Sequence, residues 1–563
     1  MARLSAAAAG LFVLLLAFGL PPRAIHVAAP SWRPRRTVVA GALHVHTNLS
    51  DGAGSIDDVA AAAARAGLQF VIVADHGDGT RMPVPPAYRS GVLCLEGVEI
   101  STSGGHYVVA GMPQAPYPLT GEARDVVEDV GRLGGFGVAA HGDSAKPGLK
   151  WRDWDAPFDG VEWLNLDSAW RADTRVQIAR AFAGYWFRAP EALASLTARP
   201  VGMMQRWDEA SAKRRVVGFA ATDAHAQILW KRGGRTLGSL PIPSYEASFR
   251  MMTTRLELDA PLSGDAGADA GVVLSALRSG HSYSAIDALA APPVFEFTGR
   301  SGASVAGEGD VLPADRPVAL EVRAGAPAGA RLALLRDGVT IRETRDSRLT
   351  YLATGERAVY RAEVRIPNAP GVPPVPWIVS NPIYVGMPLH VEATAAVTPR
   401  GSDVTDLIHL GGEEAGWSLE RDESSEGAIV REGPAGRTLG LRYSLGPGRA
   451  WGQLVALVRP VQNHLLQHDR ITLRASASRP LRLSVELRAS GQDDPPRWQR
   501  SVYLDRTPRT VTILFSDLRP VAGNAAGPVP LASIGALMLA IDANNTLPGT
   551  SGEIAFSEIA CER

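Results

Sequence analysis

The sequence predicts an α/β domain over residues 38–290 followed by two all-β domains, a small β-sandwich over 291–388 and a jelly-roll domain over 389–563. Two observations carry this expectation. Up to about residue 290, short apolar runs alternate with helical segments, which is the rhythm of strand–helix–strand units. Beyond that point the runs become short and alternating, as in Val318-Ala-Leu-Glu-Val-Arg and Leu481-Arg-Leu-Ser-Val-Glu-Leu, and they are separated by Gly, Pro and Asp turns. At 563 residues the chain is long enough for three to four domains of about 100–200 residues each.

The elements follow in order. Leu4 to Leu20 is apolar or small throughout, with Arg3 before it and Pro21 and Pro22 after it, so residues 1–24 read as a signal peptide or an N-terminal membrane anchor. Val38 to Val45 reads as a strand. Ser55, with Asp58 three residues on, is a capping box opening an alanine-rich helix that Gly67 stops, and Phe70 to Ala74 is the next strand. A second unit turns helical after Thr120 through Leu133, stops at Gly134 and Gly135, and enters the strand Phe136 to Ala140. A helical stretch from about Pro190 to Glu209 leads to the strand Val216 to Ala221.

Composition narrows the chemistry. With Lys+Arg 57 against Asp+Glu 58, the formal net charge is -1, so no global basic field exists to hold a polyanion and nucleic-acid binding is not expected. Cys94 and Cys561 are the only cysteines, which excludes a disulfide framework and any thiolate metal site. A metal would have to be held by imidazole and carboxylate.

Those side chains cluster at strand ends of the α/β domain. His44 and His46 are two apart on a strand, so regular alternation turns both to one face. Asp51 lies in the Ser-Asp-Gly turn that follows, and Asp75 and His76 end the second strand. Glu99 and His106 sit at strand edges, His141 follows Ala140, and Asp223 and His225 repeat the two-residue spacing after Ala221. Taken singly, each also reads as a hydrogen-bonded strand end or a turn residue. Nine such residues at the strand ends of one domain point instead to a shared site for Zn, Mn or Fe. Asp75 could orient a ligand or cap a loop. Lys146, Lys150 and Arg171, in loops near the same end, could bind a substrate anion or simply be solvated.

The ordered set Leu-His44-Val-His46-Thr-Asn-Leu-Ser-Asp51-Gly, Ala-Asp75-His76, Gly-Val-Glu99-Ile, His106, Ala-His141 and Thr-Asp223-Ala-His225 resembles the PHP (polymerase and histidinol phosphatase) superfamily over about 38–290. The resemblance implies a distorted (β/α)7 barrel and a metal-dependent phosphoesterase holding two or three divalent ions. It implies that His44, His46 and Asp223 hold one ion with Glu99 bridging, that Glu99, His106 and His141 hold a second, and that Asp51, His76 and His225 hold a third. It names Glu99, Asp223 and His225 as catalytic among them. Gly142 departs from the proline that many relatives carry after the histidine. The end of the segment, Ala276-Leu-Arg-Ser-Gly-His-Ser-Tyr-Ser-Ala, is similar to a branch that includes carbamate-ester hydrolases.

The C-terminal segment resembles galactose-binding-like jelly rolls of carbohydrate-binding modules. There Trp417, Trp451 and Trp498 could stack on a sugar or fill the core. Asp542, Asn544 and Asn545 could bind calcium or form a turn. The expected function is therefore an exported, metal-dependent hydrolase in which an activated water cleaves a phosphoester. A carbamate or carboxylic ester on the same site is the alternative, and a non-catalytic glycan-binding protein with a vestigial barrel is another.

Overall fold

The computed structural model describes residues 19–171, 173–232, 235–387, 405–408, 416–432, 438–448, 452–461, 465–491, 495–521 and 526–563. Most of the expected N-terminal leader, and Trp451, lie outside the described residues. Two compact units emerge, one of residues 1–113 and 122–391, the other of residues 114–121 and 392–563.

The first unit is built on a curled, barrel-type sheet. Its strands are β1 (Thr37–Val45), β2 (Phe70–Val73), β3 (Val92–Thr102), β4 (Gly105–Ala110), β5 (Phe136–Ala139), β6 (Gly160–Asn165) and β7 (Val217–Ala221). Neighbouring members pair in this order, and a parallel bridge from Val45 to Ala224 returns the sheet to β1. Helix α1 (Ile56–Ala66) carries the expected capping box, with the Ser55 side chain accepting from the Asp58 amide and Gly67 closing the end at φ 79°. Val39, Leu43, Phe70, Val138 and Phe219 pack in one cluster, with Val273 and Leu277 of α8 (Ala266–Ser279) in it, while Ala40, Ala42, Val71 and Val73 pack with α1 on the opposite face. Gly41 has to be glycine, because an added Cβ would stand 2.3 Å from the Phe70 ring.

The regular (β/α)7 alternation does not hold. Only the turn Ser103–Gly104 separates β3 from β4, and a two-residue connection can join only antiparallel neighbours, so β4 runs against both β3 and β5. The helical stretch expected over 190–209 is also interrupted. It forms α5 (Ala189–Ala194) and α6 (Val201–Ser211), because Pro200 has no amide to donate and disfavours helical geometry at Arg199 before it. Between β6 and α5 lie α3 (Leu166–Arg171) and α4 (Arg175–Tyr185).

After β7 the chain forms α7 (Tyr245–Met251) and β8 (Thr253–Leu258), which is antiparallel to β1. Beside it, β9 (Ser282–Ala285) pairs onward with Ile378–Ser380. The strands over 291–388 do form two layers around Phe295, Phe297, Leu320, Leu334, Tyr360 and Trp377, but one of those layers is continuous with the barrel sheet through β9. The boundary expected at 290 is thus crossed by backbone hydrogen bonds.

A buried ion cluster ties the same layer to α6. Arg199 grips Glu363 with two bonds of 2.8 Å, and Arg361 reaches Glu363 at 2.9 Å and Asp208 at 2.9 Å. Burial alone would raise the Glu363 carboxyl, yet the three guanidinium groups of Arg199, Arg361 and Arg365 outweigh it and hold its pKa at about 2.

Among the described residues, the second unit forms two six-stranded antiparallel sheets around Leu441, Leu457, Ile471, Leu483, Leu539 and Phe556. Trp417 and Trp498 are buried in that core, and the Trp498 indole donates to the Gly527 carbonyl at 3.0 Å, so neither offers a face to a sugar. Asp542 accepts from the Asn544 amide at 2.8 Å and from the Ser484 hydroxyl at 3.2 Å, which is turn chemistry.

Glu363→Gln should destabilise the first unit by about 3–5 kcal/mol, because it leaves buried guanidinium charge uncompensated; urea unfolding followed by tryptophan fluorescence measures this. The wild-type contribution should be full above the ordinary glutamate pKa of 4.5 and fade as pH falls toward 2, since the folded value lies below the unfolded one.

Candidate metal centre

All nine expected side chains meet at one end of the curled sheet. Glu99 is central. Its Oε1 lies 2.8 Å from both His106 Nδ1 and His141 Nε2, and its Oε2 lies 3.1 Å from His76 Nδ1, 3.3 Å from His46 Nε2 and 3.4 Å from His44 Nε2. Asp223 Oδ1 stands 3.4 Å from His44 Nε2 and 3.3 Å from His46 Nε2. Asp51 Oδ1 is 3.3 Å from His225 Nε2, 3.6 Å from His46 Nδ1 and 3.7 Å from His76 Nε2. Four overlapping sets have donor atoms close enough to share an ion: His44, His46 and Asp223; His44, Glu99 and His141; His76, Glu99 and His106; and His46, Asp51, His76 and His225.

The backbone is bent to make this possible. Leu43 packs with one face of the sheet and regular alternation would turn His44 to the other. A left-handed φ of 59° at His44, at a register shift between Ala42 and Val45, returns its imidazole to the centre. His141 at φ 30° and Asp223 at φ 45° are held in the same way. Non-glycine residues in this region cost about 1–3 kcal/mol each and persist only where their surroundings fix them.

Those surroundings include residues that sequence reasoning missed. Glu162 of β6 accepts from His44 Nδ1 at 2.5 Å through Oε1, while its Oε2 accepts from the His141 amide and from Asn165 Nδ2, each at 2.8 Å. Asn165 Nδ2 also donates to Asp223 Oδ2 at 3.2 Å. One carboxylate thus orients an imidazole and a strained backbone together. The available signal was a charged residue inside the apolar run Val161-Glu-Trp-Leu. Asp75 does not touch His76 in this way. It accepts from the Thr47 amide at 2.8 Å and from the Thr47 and Ser50 hydroxyls, each at 2.6 Å, and so pins the loop that carries Asp51.

Electrostatics fit cation binding. Burial opposes charge on His44, but Asp223, Glu162 and Glu99 outweigh it and hold its pKa well above the ordinary histidine value. His141 and His225 are likewise raised to about 9, against their burial, by Glu99 and by Asp51 respectively. Burial pushes His46 down instead. Glu99 and Asp223 stay well below the carboxylate range despite burial, because His44 and neighbouring imidazoles favour their charged forms. The decisive test of fit is that Nε2 of His44 and of His46 are buried without a hydrogen-bond partner although both face carboxylate oxygens. Imidazole nitrogens and carboxylates in such sets suit divalent transition ions.

A cavity of about 470 Å³ adjoins the cluster, within the range of small-molecule sites. Its floor includes Asp51, His76, Glu99, His106, His141, Asp223 and His225. Its walls are apolar, drawn from Leu166, Ile178, Phe182, Leu193, Leu196 and Ile242. Lys146 and Arg171 line it as well, whereas Lys150 does not. Arg171 is committed elsewhere: its guanidinium bonds both oxygens of Asp167 at 2.8 Å and stacks 4.4 Å over Trp170.

No protein-family model matches the chain, and no curated protein sequence does either. Among solved structures, the chain is similar to a two-domain protein from Bacteroides vulgatus described as containing a predicted PHP-like metal-dependent phosphoesterase, at 13% identity, with 65% of this chain and 99% of that chain covered and a TM-score of 0.31. A Bifidobacterium adolescentis protein provisionally described as a metal-dependent phosphoesterase overlaps at 14% identity, 38% of this chain and 90% of that one, with a TM-score of 0.23. A family 11 carbohydrate-binding module from Clostridium thermocellum, in complex with a β-1,3-1,4-mixed-linked tetrasaccharide, overlaps at 13% identity, 28% of this chain and 95% of that one, with a TM-score of 0.23. Scores below 0.5 mark partial overlap and not a shared whole-chain fold.

Glu162→Gln should keep the fold but weaken metal affinity by about 10–100-fold, as losing the partner of a ligating histidine commonly does. Competition with a chromogenic chelator measures this, with circular dichroism reporting the fold; unchanged affinity would show that Glu162 does not orient His44.

Proposed function

We propose that the chain is a metal-dependent hydrolase of the PHP superfamily, exported or anchored by its N-terminal segment, that cleaves phosphoester bonds. The observation that carries this reading is the pair of buried, unpartnered imidazole nitrogens of His44 and His46 inside a nine-residue set of nitrogen and oxygen donors. In the proposed assignment His44, His46, Asp223 and Glu99 would hold one ion, Glu99, His106 and His141 a second, and Asp51, His76 and His225 a third. Two or three divalent ions held there, such as Zn, Mn or Fe, would supply Lewis acidity and lower the pKa of a water molecule toward neutral pH. The protein's own part is to hold the donors in a buried cluster, to fix the His44 tautomer through Glu162, and to shield the reacting bond with the apolar wall.

A second reading, hydrolysis of a carbamate or carboxylic ester, is favoured by the cavity. Its wall offers a bulky apolar group extensive contact, while Arg171 is engaged with Asp167 and leaves Lys146, among the described residues, as the Lys or Arg cation that lines the space. A highly charged phosphate ester would find little complementary charge beyond the metals. A glycan-binding protein with an inert barrel has no use for the strained His44, His141 and Asp223, whose geometry serves only convergence on the cluster.

Purified protein reconstituted with zinc, manganese or iron should turn over aryl phosphate mono- or diesters, and chelation should abolish the activity. Turnover of aryl carbamates or acetates with phosphates inert would select the second reading, and less than one metal per chain by elemental analysis with no turnover would defeat both. His44→Ala and Asp223→Asn should reduce turnover to background while circular dichroism stays unchanged. Ile178→Asp should raise KM for a bulky apolar ester by about tenfold or more, because a buried charge beside an apolar group is costly, with little change for a small one.

A further inference from the structure

The apolar segment from Leu4 to Leu20 joins the described chain at a defined place. Arg188 donates to the Pro21 carbonyl at 2.6 Å, and the Ala24 amide reaches Glu191 Oε1 at 3.4 Å. The Pro21 ring lies against Gly184, where an added Cβ would be 3.0 Å from its Cδ. Residues 21–24 are therefore fastened to the C-terminal end of α4 and the start of α5.

That same end of α4 exposes large apolar side chains. Trp186 is 63% exposed, Phe187 59%, Phe182 46% and, at the other end of the helix, Val176 61%. Phe182 and Tyr185 both meet the Trp186 ring edge-on, at centroid distances of 6.2 Å and 6.0 Å, so these three rings form one patch, with the exposed Phe187 next in the chain. Arg175 and Arg180 are exposed on the same helix, and no acidic residue occurs from Thr174 to Pro190. Soluble surfaces carry single exposed apolar residues routinely, but a contiguous aromatic patch marks an interaction site.

We propose that α4, with Trp186 and Phe187, docks on an anionic lipid bilayer beside the point where the apolar N-terminal segment meets the folded chain. Tryptophan and phenylalanine flanked by arginine suit the headgroup boundary, where rings enter the acyl layer and guanidinium groups meet lipid phosphates. The docking is peripheral, with the N-terminal segment as a second attachment. Phe182 also lines the cavity. The rim of the candidate site therefore lies on the docked face, where an amphipathic ester could enter directly from lipid. The docking itself is independent of the reaction catalysed.

Cys94 and Cys561 are buried, so a cysteine introduced at the surface can be labelled selectively. The full chain carrying Trp186→Cys, and separately Phe187→Cys, is labelled with an environment-sensitive fluorophore; Leu352→Cys, at a position 70% exposed, is the control. On mixed phosphatidylcholine–phosphatidylglycerol vesicles, the probes at 186 and 187 should shift to the blue and lose iodide quenching, while the probe at 352 should not change. Vesicle-bound protein whose probes at 186 and 187 stay quenchable overturns the proposal, as does failure to bind vesicles. Probes already shielded without lipid also overturn it, the cover then being a second copy if shielding grows with protein concentration and the chain's own N-terminal segment if it does not.

Discussion

Everything at the candidate site depends on keeping Glu99 charged while almost fully buried. A carboxylate out of water is tolerable only if opposite charge or strong donors surround it. Here five imidazoles do so, from His44, His46, His76, His106 and His141, and each comes from a different place in the chain or a different register of one strand. Asp223 and Asp51 repeat the arrangement at either side of His46. The same carboxylates favour positive charge on the rings they face, and push His141 and His225 up to about 9 against their burial. Metal ions would supply that positive charge, so the cluster is matched to cation binding by its charge as well as by its donor types.

This demand reaches back into the fold. A curled sheet brings strand ends together, but pleated strands send successive side chains to opposite faces, and His44 would point away from the cluster if its strand stayed regular. Left-handed backbone at His44, His141 and Asp223 is the local cost; Glu162 sustains the first two, holding the His44 ring with one oxygen and the His141 amide with the other, while Asn165 donates to the Asp223 carboxylate. The antiparallel hairpin of β3 and β4 serves the same end. Its tight turn sets Glu99 and His106 on adjacent strands, within 2.8 Å of each other.

Beyond the cluster, the helices between β6 and β7 replace the single crossover of a regular unit with an apolar enclosure. Their inner faces supply Ile178, Phe182, Leu193 and Leu196 to the cavity, and just past the end of α4 Trp186 and Phe187 stand exposed to solvent. One insertion thus shapes both the space beside the reacting groups and the surface around its rim. The sheet passing from β9 into Ile378–Ser380, and the Arg199–Glu363–Arg361 cluster, make the following sandwich part of the same body, so the helices rest on a rigid base.

The sequence by itself determined the donor chemistry. Two cysteines excluded thiolate ligands, and nine histidines and carboxylates at strand ends named the side chains that the structure brings together, because strand ends can be located from apolar runs and turn residues. It also determined α1, whose capping box and terminal glycine act within a few residues of each other. Tertiary structure alone decided what depends on distant partners. Glu162 lies in an apolar run and reveals its role only against His44, 118 residues away. Asp75 proved to hold the Thr47–Ser50 loop, and Arg171 proved to be spent on Asp167. The limits of the sandwich were likewise invisible to local pattern, since a strand looks the same whether its neighbour belongs to its own domain or to the barrel. Hydrogen bonding across a sheet is indifferent to sequence separation, and only the folded chain shows which edges meet.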